Sequence, residues 1–251
     1  MSLVLTEVKQ KNILLKFIKF PFELYKNCPF YVPPLIDFEL SSLTPKNPAF
    51  EISQVKLLLA LRDGVIVGRI AGIILDAEKE DKNLVRFGWI DFIDDKTVST
   101  ALIQGVIDWA KPFGVTGIHG PLGFTDFDFE GTLIEGFDEL ATQVGIYNFP
   151  YYADHFKSLE FSKACDWIEG RGVVPKELPT RMVRSASLIK NRFKLQTKKI
   201  KSKSQIKTYS KGIFQTLNNS FTNLYGFYTL TDKQIDYYID AYFGFVRKEF
   251  V

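Results

Sequence analysis

Asp91 and His119 are the two residues in this chain whose types and positions best suit proton transfer. His119 ends a short apolar run, Val115 to His119, just before Gly120-Pro121. A histidine at a strand end can serve as a general base, because its ordinary pKa lies near neutrality. It can also be a half-buried histidine with both ring nitrogens satisfied. Asp91 lies in FGWIDFI. It takes a proton if it faces a cleft, and is an ordinary strand carboxylate if it faces outward. Tyr147, Tyr151 and Tyr152 cluster with Asn148 near the same strand ends. A phenol there can donate a proton, or simply pack with its hydroxyl in a hydrogen bond.

Other groupings point to weaker chemistry. Asp126, Asp128 and Glu130 alternate before Gly131, as oxygen ligands do in a calcium loop. The twelfth position of such a loop would be Phe137 and not glutamate, so no metal is expected. The acidic cluster could instead attract a cationic amine. Cys28 and Cys165 lie in no nucleophile–base signature and read as core residues. The basic run Lys190 to Lys207 could touch phosphates or an acidic partner, or be a solvated connection.

The stretch that would position these groups is residues 85 to 121. Val85 to Ile93 is rich in β-branched and aromatic residues, as a half-buried strand requires. Asp94 or Asp95 can cap a following helix, in which Leu102, Val106 and Trp109 share a face. Gly114 ends that helix and Val115 to His119 forms the next strand. A strand that runs into a helix leaves several N–H groups aimed at one point, which favours an anion such as phosphate.

The elements before it read as a strand at Leu3 to Val8, then a helix from Asn12 that Pro21 kinks or restarts. An extended crossing with prolines at 29, 33 and 34 and a short helix from Ile36 to Leu43 come next. Strands Val55 to Leu61 and Val65 to Leu75 join through Arg62-Asp63-Gly64, with Gly64 at positive φ. Asp76 to Asn83 reads as a solvated charged loop. After Pro121 a long loop leads to a helix at Tyr151 to Leu159 and a strand at Phe161 to Ile168. Two amphipathic helices close the chain. In the second, Ile235, Tyr238, Ile239, Tyr242, Phe243 and Val246 recur at helical period. They must bury those faces on the preceding domain or across a homodimer.

Composition narrows the class. The chain has 251 residues, 46% hydrophobic and 15% aromatic, enough for a large core. A net charge of +3 does not argue for nucleic acid. Two cysteines fit a reducing cytoplasm, and no signal-peptide pattern opens the chain. No apolar run is long enough to span a bilayer, so no membrane partner is expected.

Several motifs together resemble the GNAT acyltransferase superfamily. GVIVGRIAGIIL looks like its central hairpin, and YYADHFKSLEFSKACDW looks like its last helix and strand. FIKFPFELYKNCPFYVPPL, FGWIDFIDD, HGPLGF, GTLIEGF and YNFPYYADHF are similar to an uncharacterised bacterial GNAT-like group. The resemblance covers roughly residues 1 to 170. It implies an α/β fold: a mixed, mostly antiparallel sheet flanked by helices, with a helical C-terminal extension. Residues 1–175 would be the GNAT-like domain. Residues 176–251 would be a basic connection and two helices, resembling the start of a second such unit.

The resemblance implies acetyl-CoA and transfer of its acyl group to a small-molecule or peptide amine. The pantetheine arm would lie between the splayed strands at 87–93 and 115–119. Backbone groups of Ile90, Asp91, Phe92 and Ile93 would meet its amides. The pyrophosphate would sit on N–H groups of Lys96, Thr97, Val98, Ser99 and Thr100. His119, or water relayed from Asp91, would take the amine proton, and Tyr152 could protonate the thiolate. Two departures support a different class of function, a non-catalytic GNAT-shaped module with a degenerate CoA site. Residues 94–100 contain no glycine, and Phe156 and Glu160 stand where the family has tyrosine and glycine.

Overall fold

The computed structural model describes residues 2–142, 145–243 and 247. Five strands form one sheet in the order β1 (Leu3–Glu7), β2 (Ser53–Arg62), β3 (Val65–Leu75), β4 (Leu84–Phe92), β5 (Gly117–His119). The first four run antiparallel, and β4 pairs with β5 in parallel. Asp63 and Gly64 both take positive φ between β2 and β3, giving the twist a two-residue hairpin needs. Gly64 alone was expected to do so.

Helix α1 (Lys11–Leu24) runs as one helix through Pro21, so of the kink or restart expected there the restart does not occur. With α2 (Ile36–Ser42) it covers one sheet face, where Leu14, Phe17 and Ile18 meet Leu59, Ala71 and Ile73. The segment read as a solvated loop is instead α3 (Asp76–Lys82), and its Glu78 is fully buried. On the other face lies α4 (Lys96–Ala110), whose Val98, Leu102 and Val106 pack on Ile70, Ile74 and Phe87. Helix α5 (Tyr151–Ser158) closes the same face through Tyr152 and Phe156. Residues 161–168 form no strand and are largely exposed.

Three further helices follow: α6 (Thr180–Arg192), α7 (Lys203–Ser220) and α8 (Asp232–Phe243). Much of the apolar faces of α7 and α8 is buried within the chain, although Ile213 and Leu224 stay exposed. Phe214, Ile235, Tyr238 and Ile239 pack together with Phe127. The Tyr238 hydroxyl lies 2.6 Å from Thr125 Oγ1, and Tyr237 lies 3.1 Å from Ser41 Oγ. Val246, expected in the α8 stripe, is outside the described residues.

Candidate functional site

The two parallel strands are paired only at Leu84–Arg86 with Gly117–His119. Leu122 N–H then donates to Phe87 O at 2.8 Å, and the chain turns away. Gly88 makes this possible, since a Cβ there would overlap the Leu122 carbonyl. The β3–β4 register shifts between Arg69 and Ala71, and Trp89 adopts φ 43°. Such a bulge re-aims the residues beyond it. Ile90 and Asp91 therefore line a pocket beside the parted strands. Its other walls include Tyr31, Trp89, Phe129, Tyr147, Asn148 and Tyr152.

Asp91 anchors the floor of this pocket. Its Oδ2 accepts from Arg69 Nε at 2.7 Å, and its Oδ1 accepts from the Tyr25 hydroxyl at 2.9 Å. Tyr25 and Tyr152 hydroxyls stand 2.8 Å apart. Arg69 Nη1 also donates to Phe17 O, and its guanidinium stacks on the Phe17 ring. Burial works against the Arg69 charge, but Asp91 and Glu39 outweigh it and hold the group cationic. Burial, then the Asp91 charge, pushes Tyr25 and Tyr152 well above the ordinary phenol range, so both stay protonated. Burial and the Cys28 thiol beside it push Tyr147 up to about 12.

Three expectations need correction. First, His119 is not in the pocket. Its Nδ1 lies 2.9 Å from the Tyr225 hydroxyl, and its Nε2 lies 3.1 Å from Glu78 Oε2 without hydrogen-bond alignment. Glu78 is held mainly by Arg86, through Nε at 2.7 Å, and Arg86 also donates to Gly226 O. Burial would raise the Glu78 carboxyl, but His119 and Arg86 together hold it below its usual range. This buried group ties β4 to the segment around Gly226, and His119 belongs to it through Tyr225, with its Nε2 beside Glu78 but not hydrogen-bonded.

Second, the slot expected for pantetheine is partly closed. Phe92 N–H donates to the Tyr152 hydroxyl at 3.1 Å, and Phe92 O accepts from Tyr151 at 2.5 Å. Ile93 N–H is bonded to Val67 O. Neither Phe92 nor Ile93 therefore has a free N–H for a ligand, whereas Ile90 and Asp91 remain at the pocket wall.

Third, the tip of α4 is filled from within the chain. Asp95 Oδ1 accepts from Thr97 N–H at 2.8 Å and from Thr97 Oγ1 at 2.6 Å. Val98 and Ser99 N–H groups bond to Asp95 O. Arg62 pairs with Asp95 Oδ2 at 2.8 Å, and the Thr97 and Arg62 bonds hold the Asp95 carboxyl down at about 2. Val98 is wholly buried, and Ser99 Oγ meets His155 Nδ1 at 2.8 Å. His155 Nε2 meets Asp94 Oδ1 at 3.0 Å. Lys96 and Thr100 are exposed. The pyrophosphate of acetyl-CoA does not fit this tip while Asp95 occupies it.

In the acidic loop, Asp128 Oδ2 accepts from Phe124 and Thr125 N–H groups, while Asp126 Oδ1 and Glu130 Oε1 lack hydrogen-bond partners among the described residues. Among the described residues no three His, Cys, Asp or Glu groups are placed to hold a metal ion.

Sequence reasoning missed Arg69, Tyr25 and the His155–Ser99 contact. Arg69 did carry a signal, as the one charge inside the apolar strand VIVGRIAGIIL. Tyr25 and His155 carried none, because each depends on helices packing onto the sheet from far along the chain.

A mixed sheet in this order, antiparallel except for one parallel edge that parts, with a helix leaving the parted strand, is the arrangement the GNAT resemblance implies. No protein-family model matches the chain. It is 37% identical over 158 residues to Protein YghO of Escherichia coli (strain K12), covering 62% of this chain and 40% of that protein. It is 36% identical over 135 residues to Bacterial ceramide synthase of Caulobacter vibrioides, covering 52% of this chain and 35% of that protein. The chain thus spans less than half the length of either relative. Similar solved structures include a predicted acetyltransferase with acetyl-CoA from Clostridium acetobutylicum (12% identity, TM-score 0.43, 68% of this chain and 96% of that one). Another is an aminoglycoside acetyltransferase from an uncultured soil metagenomic sample (14% identity, TM-score 0.42, 69% and 97%).

Proposed function

We propose that residues 1–175 carry the acyl-transfer centre of an N-acyltransferase, with residues 176–251 as a bracing extension. The observation that carries this reading is Asp91. It is the only carboxylate among the described pocket residues, and it is linked to the Tyr25 and Tyr152 hydroxyls. A carboxylate there attracts an ammonium and accepts its proton as the amine attacks.

The reaction runs as follows. The amine nitrogen attacks the carbonyl carbon of an acyl thioester, the C–N bond forms and the C–S bond breaks. The amine proton passes to Asp91, and a proton reaches the departing thiolate through the Tyr25–Tyr152 hydroxyls. The products are an amide and a thiol. Holding both reactants in one pocket supplies much of the acceleration.

The acceptor we favour is an amine on a hydrocarbon chain. Pro21, Val32, Pro34, Trp89, Phe129 and Ile146 give the pocket apolar walls. The likeness to a protein named Bacterial ceramide synthase supports the same choice, since a ceramide is the N-acyl derivative of a long-chain amino alcohol.

Thiol release from palmitoyl-CoA and from acetyl-CoA, with and without a long-chain amino alcohol, tests the reading. Release should depend on the amine and fall by roughly 10²-fold or more in Asp91→Asn, with near-UV circular dichroism confirming the fold. A second reading is a binding module without chemistry. Asp95 on the helix tip and the tyrosines on Phe92 favour it, and no thiol release with any donor would establish it.

A further inference from the structure

Helix α6 projects from the body of the protein with none of its residues buried. Met182, Ala186, Ile189 and Phe193 follow one another at helical spacing along one side. Met182, Ile189 and Phe193 are 60%, 51% and 61% exposed. Arg181, Arg184 and Arg192 recur at helical spacing on an adjoining side, which Leu188 shares. Water is a poor solvent for the first face, and burying it would be favourable.

Charge says what covers it. From Leu178 to Thr231 the chain has eleven lysines and arginines and no aspartate or glutamate. Lys207 and Lys211 are answered by Asp240 and Asp236 of α8. Arg181, Arg184, Lys190 and Arg192 form no ion pair among the described residues. A partner must therefore be apolar inside and anionic at its surface.

We propose that α6 is an interfacial helix that docks this protein on an anionic lipid surface. Its apolar side enters the acyl–headgroup boundary, and its arginines and lysine reach the headgroup phosphates. With 13 residues, about 20 Å at 1.5 Å per residue, it lies on a bilayer and does not cross one. No described helix is long and apolar enough to cross a membrane. This proposal stands apart from the acyl-transfer reading, because it uses no pocket residue.

Co-sedimentation of the full chain with vesicles tests it, using phosphatidylcholine alone and phosphatidylcholine with phosphatidylglycerol. Binding is expected only to the mixed vesicles, and weaker at high salt. The triple variant Met182→Ser, Ile189→Ser, Phe193→Ser should bind about 1,000-fold less, at about tenfold per buried apolar side chain. Arg181→Ser with Arg184→Ser should bind about 25-fold less, at about fivefold per cation. No binding to mixed vesicles, or equal binding to neutral ones, overturns the proposal. So does a triple variant that binds like the parent while the arginine variant does not, which would mark a cationic surface for an acidic protein. A triple variant that changes oligomeric state while keeping vesicle binding would assign the face to a second copy. Because α6 buries nothing, the triple variant should keep the parent's denaturation midpoint; a clear drop also overturns the proposal.

Discussion

Arg69 and Asp91 are register partners across β3 and β4, and their side chains meet at 2.7 Å on the pocket floor. Both are nearly fully buried, so each is the other's main compensation for lost water. Asp91→Asn leaves the Arg69 charge buried without its partner and should destabilise the fold by about 3 kcal/mol. Replacing both at once, Arg69→Met with Asp91→Leu, removes the charges together and should recover most of that loss. Urea denaturation of the single and double variants checks the pair. A double variant no better than the single would mean the loss comes from packing and not from an orphaned charge.

Asp95 decides how open the α4 tip is to phosphates. Asp95→Ala removes the cap on Thr97 N–H and should cost about 1 kcal/mol. Asp95→Asn keeps an acceptor and removes the negative charge. It should therefore hold stability nearer the parent and strengthen acyl-CoA binding, measured by calorimetry. The cap also has a pH signature. With its folded pKa lowered to about 2, Asp95 contributes stability that is fully present above the unfolded carboxyl pKa, near 4, and is lost as pH falls through about 2. Acid unfolding of the Ala variant should lack that component. Unchanged acyl-CoA affinity in Asp95→Asn would place the pyrophosphate elsewhere.

Much of the framework was legible in the sequence because it rests on local patterns. Apolar runs on either side of Arg62-Asp63-Gly64 marked β2 and β3, helical period marked α4 and α8, and Asp95 marked the start of α4. Burial of a charge was not legible locally. Asp76 to Asn83 looked solvated because its composition is charged, yet Glu78 is drawn inside by Arg86 from β4. His119 looked catalytic because sequence cannot reveal Tyr225, more than a hundred positions on, at its Nδ1. Asp91 and Tyr152 were named from sequence and both line the pocket, but the Arg69–Asp91–Tyr25–Tyr152 chain needs four separate elements, β3, β4, the end of α1 and α5, to converge.

Glu160 occupies a left-handed position, φ 64°, just after α5. That conformation brings Cβ close to the backbone and is normally filled by glycine at helix ends. Glu160→Gly should stabilise the protein by about 1 kcal/mol. For a chain of this size that corresponds to a rise of roughly 2–4 °C in Tm. No rise in differential scanning calorimetry would mean that the side chain makes an offsetting contact.

Glu130 ties stability to pH in the opposite sense to Asp95. Burial pushes its carboxyl up to about 8, with the Asp126 charge adding to the effect, and burial lifts Asp128 to about 7. Among the described residues Glu130 Oε1 has no hydrogen-bond partner to favour the ionised form. A folded pKa above the unfolded value means that the native state binds the proton more tightly. Stability from this group is therefore fully present below the unfolded pKa, near 4, and is lost as pH rises through about 8. Denaturation midpoints should fall between pH 5 and pH 8.5 in the parent. Glu130→Gln, which cannot ionise, should be close to neutral at pH 5 and stabilising at pH 8.5. Asp128 keeps part of the slope in that variant, because its own carboxyl still has to ionise against burial. A parent whose midpoint stays flat across this range would mean that water or a cation reaches Glu130 and pays the cost of its charge.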